Sequence, residues 1–261
     1  MEQQEIPSLP RDRESREVHR FGNSRTEVVT LDEATTSQLL TEAHQAYRTE
    51  INDLLLAALS LAIREWSGAD QVAIHLEGHG REEILPEVDL TRTVGWFTSI
   101  YPVVLPVRTE NPGTVIKEVK ETLRRVPHKG VGYGVRRYLQ GKRGKLQPGI
   151  SFNYLGQFDQ TGADASSLPT GTPVSLRNRR AHDIEITGVI RNGRLHFLVD
   201  YSCYWEAETI KRWMEKFLQH LLRLTEHCLK KDTSERTPSD FSMKNMTMED
   251  LEDVFSTLKN L

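Results

Sequence analysis

A carboxylate that ends a strand beside a glycine loop can take up a proton and return it. Glu77 stands in such a place. A short strand is predicted over residues 71–76, and Gly78 and Gly80 turn 77–82 into a loop from which the carboxylate can project into a cleft. The same loop supplies His79 as a second proton carrier and Arg81 as a counter-ion. On residue types alone, an ion pair between Glu77 and Arg81 competes with proton transfer, because isolated carboxylates are common. His75 and His79 are four apart, a spacing that suits metal ligands on a helix, but this segment reads as strand and loop. With no cysteine or third histidine nearby, a structural histidine is expected and no metal site. A further strand at 149–155 carries Asn153 and Tyr154 on opposite faces, so only one can point directly into a given cavity. A tyrosine hydroxyl can carry a proton or donate a hydrogen bond; the competing fate is a half-buried strand tyrosine with a wet hydroxyl. Gly130, Gly132 and Gly134 suit either a phosphate cradle or a turn that needs positive φ, and no P-loop lysine-serine pattern accompanies them.

These residues need a frame. A polar, extended lead-in over 1–24 is followed by a strand at 26–31 and a helix over 32–47 with Leu39, Leu40, Ala43, Ala46 and Tyr47 on one face. Thr49 is the expected N-cap of a second helix, 51–66, whose LLLAALSLAI core is apolar nearly all round and therefore buried. Residues 96–107 read as a strand bent or edge-placed by Pro102 and Pro106. Asn111 and Pro112 start a helix ending before Pro127. A short helix ends near Leu139, and a polar loop fills 160–180. Two strands, 183–190 and 194–201, flank Asn192-Gly193, the strongest turn signal in the chain. A long amphipathic helix, 206–230, a linker, 231–238, and a last helix complete the chain. Irregular alternation with one clear hairpin predicts an α/β sandwich, a mixed sheet with helices packed on it.

Composition narrows the function. A net charge of −3 argues against nucleic acid as partner. Two distant cysteines make no disulfide framework and suit a reducing cytoplasm. No run of 18 apolar residues and no apolar leader core point to membrane or export.

Five strings then occur in a recognisable order: INDLLLAAL (51–59), EGHGRE (77–82), RTVGWFTSIYPVVL (92–105), PHKGVGYG (127–134) and FNYLGQ (152–157). Together they resemble the motifs of nonribosomal peptide synthetase epimerization domains, across roughly residues 25–230. The resemblance implies a chloramphenicol-acetyltransferase-like fold, of which this chain would be the C-terminal lobe. It also implies a tunnel between two lobes and L-to-D conversion of an aminoacyl or peptidyl thioester during peptide natural-product biosynthesis. Glu77 would be the acid/base, with Asn153 and Tyr154 as catalytic partners; His79, Arg81 and Trp96 would line the tunnel. Trp96 and Phe97 otherwise pack a core. No cofactor would bind directly, the substrate arriving on the phosphopantetheine of a peptidyl carrier protein. The family's His-His-x-x-x-Asp-Gly motif belongs to the N-terminal lobe. None of the nine histidines here is adjacent to another, so that lobe is an expected partner, and the chain alone an expected non-enzyme. A silent docking module is the alternative reading. An acyltransferase of the chloramphenicol-acetyltransferase type is a weaker one, with His196 and Asp200 as its nearest His-x-x-x-Asp.

The final segment resembles the donor docking helices that end some synthetase subunits. Thr247 and Asp250 form a near capping box, acids load the first turns, and Leu251, Val254, Phe255 and Leu258 recur at helical spacing. The expected partner is a greasy groove with a basic rim on a downstream subunit.

Overall fold

The computed structural model describes residues 6, 8–15, 17–85, 87–142, 144, 146–157, 171, 174–243 and 246–259. Six strands form one mixed sheet: β1 (Arg25–Leu31), β2 (Gln71–Gly78), β3 (Ser99–Pro106), β4 (Ile150–Gln157), β5 (Ile184–Arg191) and β6 (Arg194–Tyr201). Their order is β1-β6-β5-β4-β2-β3, with β4 parallel to both β2 and β5 and the other pairs antiparallel. Alternation divides the sheet. Ile74, Leu76, Ile150, Phe152, Ile184, Ile186, Phe197 and Val199 are buried on the inner face. The outer face carries His75, Glu77, Ser151, Asn153, Glu185, Thr187 and Asp200, brought side by side by the strand registers.

Helices cover the inner face. The predicted apolar helix is α2 (Ile51–Ser67), buried from Asp53 to Ile63 and ended by Gly68 at φ 69°. It lies beside α5 (Ala207–Leu229), whose Phe217 ring meets Phe197 of β6 edge-on at 4.8 Å. Asn111 accepts from the Thr114 backbone N–H at 3.1 Å and starts α3 (Pro112–Arg124), as its sequence indicates. The β5–β6 turn has Asn192 and Gly193 both at positive φ, the condition for a tight hairpin.

Three local expectations need correction. The helix expected over 32–47 stops early: α1 spans Glu33–Thr41, capped by Asp32, and a 3-10 turn at Ala43–Gln45 redirects the chain. The redirection brings the Tyr47 hydroxyl to His227 Nε2 at 2.8 Å and its carbonyl to Lys120, which a straight helix would not do. Thr49 does not cap α2; Glu50 does, its N–H held by the Asp53 carboxylate at 2.7 Å. The lead-in is extended but tied down, since Trp205 Nε1 donates to Pro10 O at 2.7 Å and Arg13 Nε to Cys203 O at 2.6 Å.

The expected linker at 231–238 is also bolted to the lobe. Glu235 N–H donates to Ala46 O, and Glu235 pairs with Lys117 and Lys231. Lys120, only 1% exposed at its side chain, donates to both Asp240 carboxylate oxygens at 2.7 Å. Glu121 accepts from the backbone N–H and hydroxyl of Ser239. Independence can therefore begin only after Asp240. Beyond it, α6 (Met248–Lys259) is capped by Thr247 and Asp250 as read from sequence. Among the described residues no helix is long and apolar enough to cross a membrane.

Candidate active site

A cleft of about 500 Å³ opens where β2 and β4 end. Glu77 and Asn153 reach it from the outer sheet face, Leu76, Phe152 and Tyr154 from the inner one, and Asp53 and Arg124 close the helical side. Because the cleft sits at the strand ends, it touches both faces. Asn153 and Tyr154 both line it although alternation separates their side chains.

Glu77 lies in the last turnings of β2, not in the loop beyond. Asn153 Nδ2 donates to Glu77 Oε2 at 2.7 Å, across the parallel pairing in which Leu76 meets Phe152. Burial by the cleft wall, with the Glu185 carboxylate nearby, raises the Glu77 proton affinity above the ordinary carboxyl range, while His182 opposes this. The carboxylate is still open to solvent on one side, which moderates the burial effect. Such a group accepts a proton more readily than a free glutamate and can give it back. Tyr154 packs against Gly188, its partner in β5, and burial pushes its hydroxyl up to about 12. It stays neutral, a state that can donate a hydrogen bond but does not act as a base.

The loop residues distribute differently. His79 lines the cleft and its Nε2 meets Glu82 at 3.0 Å, while its Nδ1 accepts from the Arg81 backbone. It has no shared centre with His75, which bonds His182 instead. Arg81 does not pair with Glu77. Its guanidinium donates to the Leu90 and Gly95 carbonyls and covers the Phe97 ring at 4.3 Å, so it ties these three places together. Trp96 packs no core in this lobe: it is 92% exposed, as is Val94 at 99%, which leaves it available to the tunnel expected between two lobes. Phe97, the next residue, takes the place beside Arg81. Gly130 has φ 79°, and a Cβ there would come within 2.1 Å of the Tyr101 ring. Close packing against β3 therefore accounts for that glycine. The weaker acyltransferase pair is not assembled, since His196 bonds Thr30 at 2.9 Å and Asp200 bonds Thr26 and Arg180.

Two features escaped the sequence reading. Asp53 is fully buried and held by both Arg124 nitrogens at 3.1 and 2.8 Å, closing the cleft floor. His75, two residues before Glu77 and on its face, meets His182 from 107 residues away. By spacing, His75 is weighed only with His79, and nothing local flags His182 as its partner.

Residues 1–247 match the family model described as Condensation domain. The chain belongs to the condensation-domain family. It is 43% identical over 264 residues to surfactin synthase subunit 1 of Bacillus subtilis (strain 168), covering 96% of this chain and 7% of that one. It is 43% identical over 276 residues to tyrocidine synthase 1 of Brevibacillus parabrevis, covering 97% and 25%. Among solved structures, the epimerization domain from the third module of tyrocidine synthetase B superposes with a TM-score of 0.80 at 42% identity, over 87% of this chain and 53% of that one. The condensation domain of the Monacolin K polyketide synthase, at TM-score 0.62 and 17% identity, shares the fold. The chloramphenicol-acetyltransferase-like sandwich expected of the sequence is thus the fold of this condensation-family lobe. The chain spans a quarter or less of these curated relatives and about half of the solved epimerization domain.

Proposed function

We propose that this chain is the C-terminal lobe of an epimerization domain, acting on an L-aminoacyl or peptidyl thioester carried on the phosphopantetheine of a peptidyl carrier protein. The observation that carries this reading is Glu77: a carboxylate at a strand end, in a cleft, held by Asn153, with its proton affinity raised. The similarity to the tyrocidine synthetase epimerization domain supports it. In the reaction, Glu77 takes the α-proton from, or returns it to, one face of the substrate. The C–H electron pair passes into an enolate, and a group from the complementary lobe supplies or removes the proton on the opposite face. Donors such as the Asn153 amide and the Tyr154 hydroxyl are suited to steady the developing charge.

The complementary lobe carries the His-His-x-x-x-Asp-Gly motif, so both lobes are needed. The 261-residue chain incubated with an L-aminoacyl carrier protein should give no D-product after hydrolysis and chiral separation, and fusion to the complementary lobe should restore it. D-product from the chain alone would overturn the two-lobe requirement; none from the fusion would overturn the epimerase reading.

The exposed apolar side chain of Val254 favours a second activity, docking of α6 to a downstream synthetase subunit. Leu251, expected as an anchor, is 3% exposed and so is not open to a partner in this conformation. The side chains of Phe255 and Leu258 lie outside the described residues. A labelled peptide of residues 241–261 should bind the acceptor subunit weakly, and less well as salt rises, because acids flank the stripe. No binding at low salt would remove this activity.

A further inference from the structure

The outer face of the sheet carries a polar row one step behind Glu77. The registers align His75 of β2 with Ser151 of β4, Glu185 of β5, Asp200 of β6 and Thr26 of β1. Side chains link the row. His75 Nδ1 and His182 Nε2 are 2.8 Å apart, His182 Nδ1 faces Glu185 Oε1 at 3.8 Å, and Arg180 bridges Glu185 to Asp200. His182 and Arg180 are buried. His75 and Glu77 lie two residues apart on the same strand face, about 7 Å along the strand. The row therefore ends beside the candidate acid/base without touching the substrate cleft.

We propose that His182 and Glu185, linked to β2 through His75, are positioning residues that set the protonation of Glu77. This rests on the epimerase reading only for its meaning in catalysis. A ring-to-ring hydrogen bond needs one donor and one acceptor. Burial, with the charges of His182 and Arg137 nearby, lowers the His75 pKa to about 4. His75 is thus uncharged; the ring tautomers decide which nitrogen donates between the two, and His182 turns Nδ1 toward Glu185. Glu185 is held ionised: burial works against it, but His182 and Arg180 prevail and lower its pKa. The two act on Glu77 in opposite senses, the Glu185 carboxylate favouring its protonated form and His182 its charged form. The other charged groups around Glu77 are His79, His128, Lys129 and the Glu50–Asp53–Arg124 cluster of α2 and α3. Neither substitution tested below alters them.

The test is the titration of the Glu77 side-chain carboxyl in the 261-residue chain by carbon-detected NMR, its resonance assigned through Glu77→Gln. His182→Gln should move the midpoint upward and Glu185→Gln should move it downward, each by roughly half to one pH unit. Loss of packing alone gives no such opposition of sign. Unchanged midpoints, or shifts in the same direction, overturn the proposal. Where one variant does not fold, the sign of the other decides. In the two-lobe domain the acid limb of the pH–rate profile should follow the same two directions. Absence of α-proton exchange in the parent two-lobe domain would remove the epimerase reading while leaving the titration result standing, so the two failures are distinguishable.

Discussion

Glu77→Gln in a domain holding both lobes is expected to slow α-proton exchange by about 10²-fold or more, the usual cost of removing a positioned general base. The substitution keeps the shape of the side chain and leaves an oxygen for Asn153 to donate to, so the cleft should not collapse. The loss should fall on kcat with little change in KM for the loaded carrier, since the carboxylate acts on the reacting proton and not on carrier docking. In the parent domain, the rate should fall with acidification through a midpoint above the ordinary carboxyl range, because Glu77 binds its proton more tightly than a free glutamate. The measurement is wash-out of deuterium from the α-position together with chiral analysis. Exchange at near-parent rate in the Gln variant would reassign Glu77 to a purely structural role.

The second large effect is expected far from the cleft. Asp240→Ala leaves the Lys120 ammonium buried with only the Tyr47 carbonyl as partner. Breaking a buried pair from one side costs about 3–5 kcal/mol. At this chain length that corresponds to a fall in Tm of about 6–20 °C. The double variant Lys120→Met, Asp240→Leu should recover much of the loss, because no charge is then stranded. The pH dependence has a definite sign. Burial works against the Asp240 carboxylate, but Lys120 and the Thr237 backbone N–H hold its pKa below the ordinary value. Its contribution is therefore present above the unfolded-state carboxyl pKa and is lost as pH falls through the lower folded value. Thermal melts from neutral to acid pH should show the parent and Asp240→Ala curves converging in that window. Equal stability of the two proteins at neutral pH would show that the 231–240 segment does not hold the lobe together.

Where the sequence was readable, a local rule was at work. The apolar run of α2, the Asn111-Pro112 start of α3 and the Asn192-Gly193 hairpin follow from composition within a few residues, and each formed. Ordered motifs identified Glu77, Asn153 and Tyr154, and the fold brings these three to one cleft. The misreadings share a different cause. The break after α1 serves contacts of Tyr47 with His227 and Lys120, and the 231–240 segment is fixed by Lys117, Lys120 and Glu121 of α3. Partners more than 70 residues away decide those places, and no periodicity records them. Trp96 is a related case: its size suggests a place in the core, but it stands exposed on this lobe.

The placing of β1 has a consequence for how the chain emerges from the ribosome. Its neighbour in the sheet is β6, and Arg25 pairs with Tyr201, 176 residues later. At translation speeds of ~5–20 residues per second, β1 waits on the order of 10–35 s before its partner has been made. During that interval its unpaired N–H and C=O groups, together with Val28 and Val29, are free to pair wrongly. β2, β4 and β5 can assemble before it, but the sheet closes only when β6 arrives. Vectorial synthesis therefore places the greatest need for chaperone protection on the first strand of the lobe.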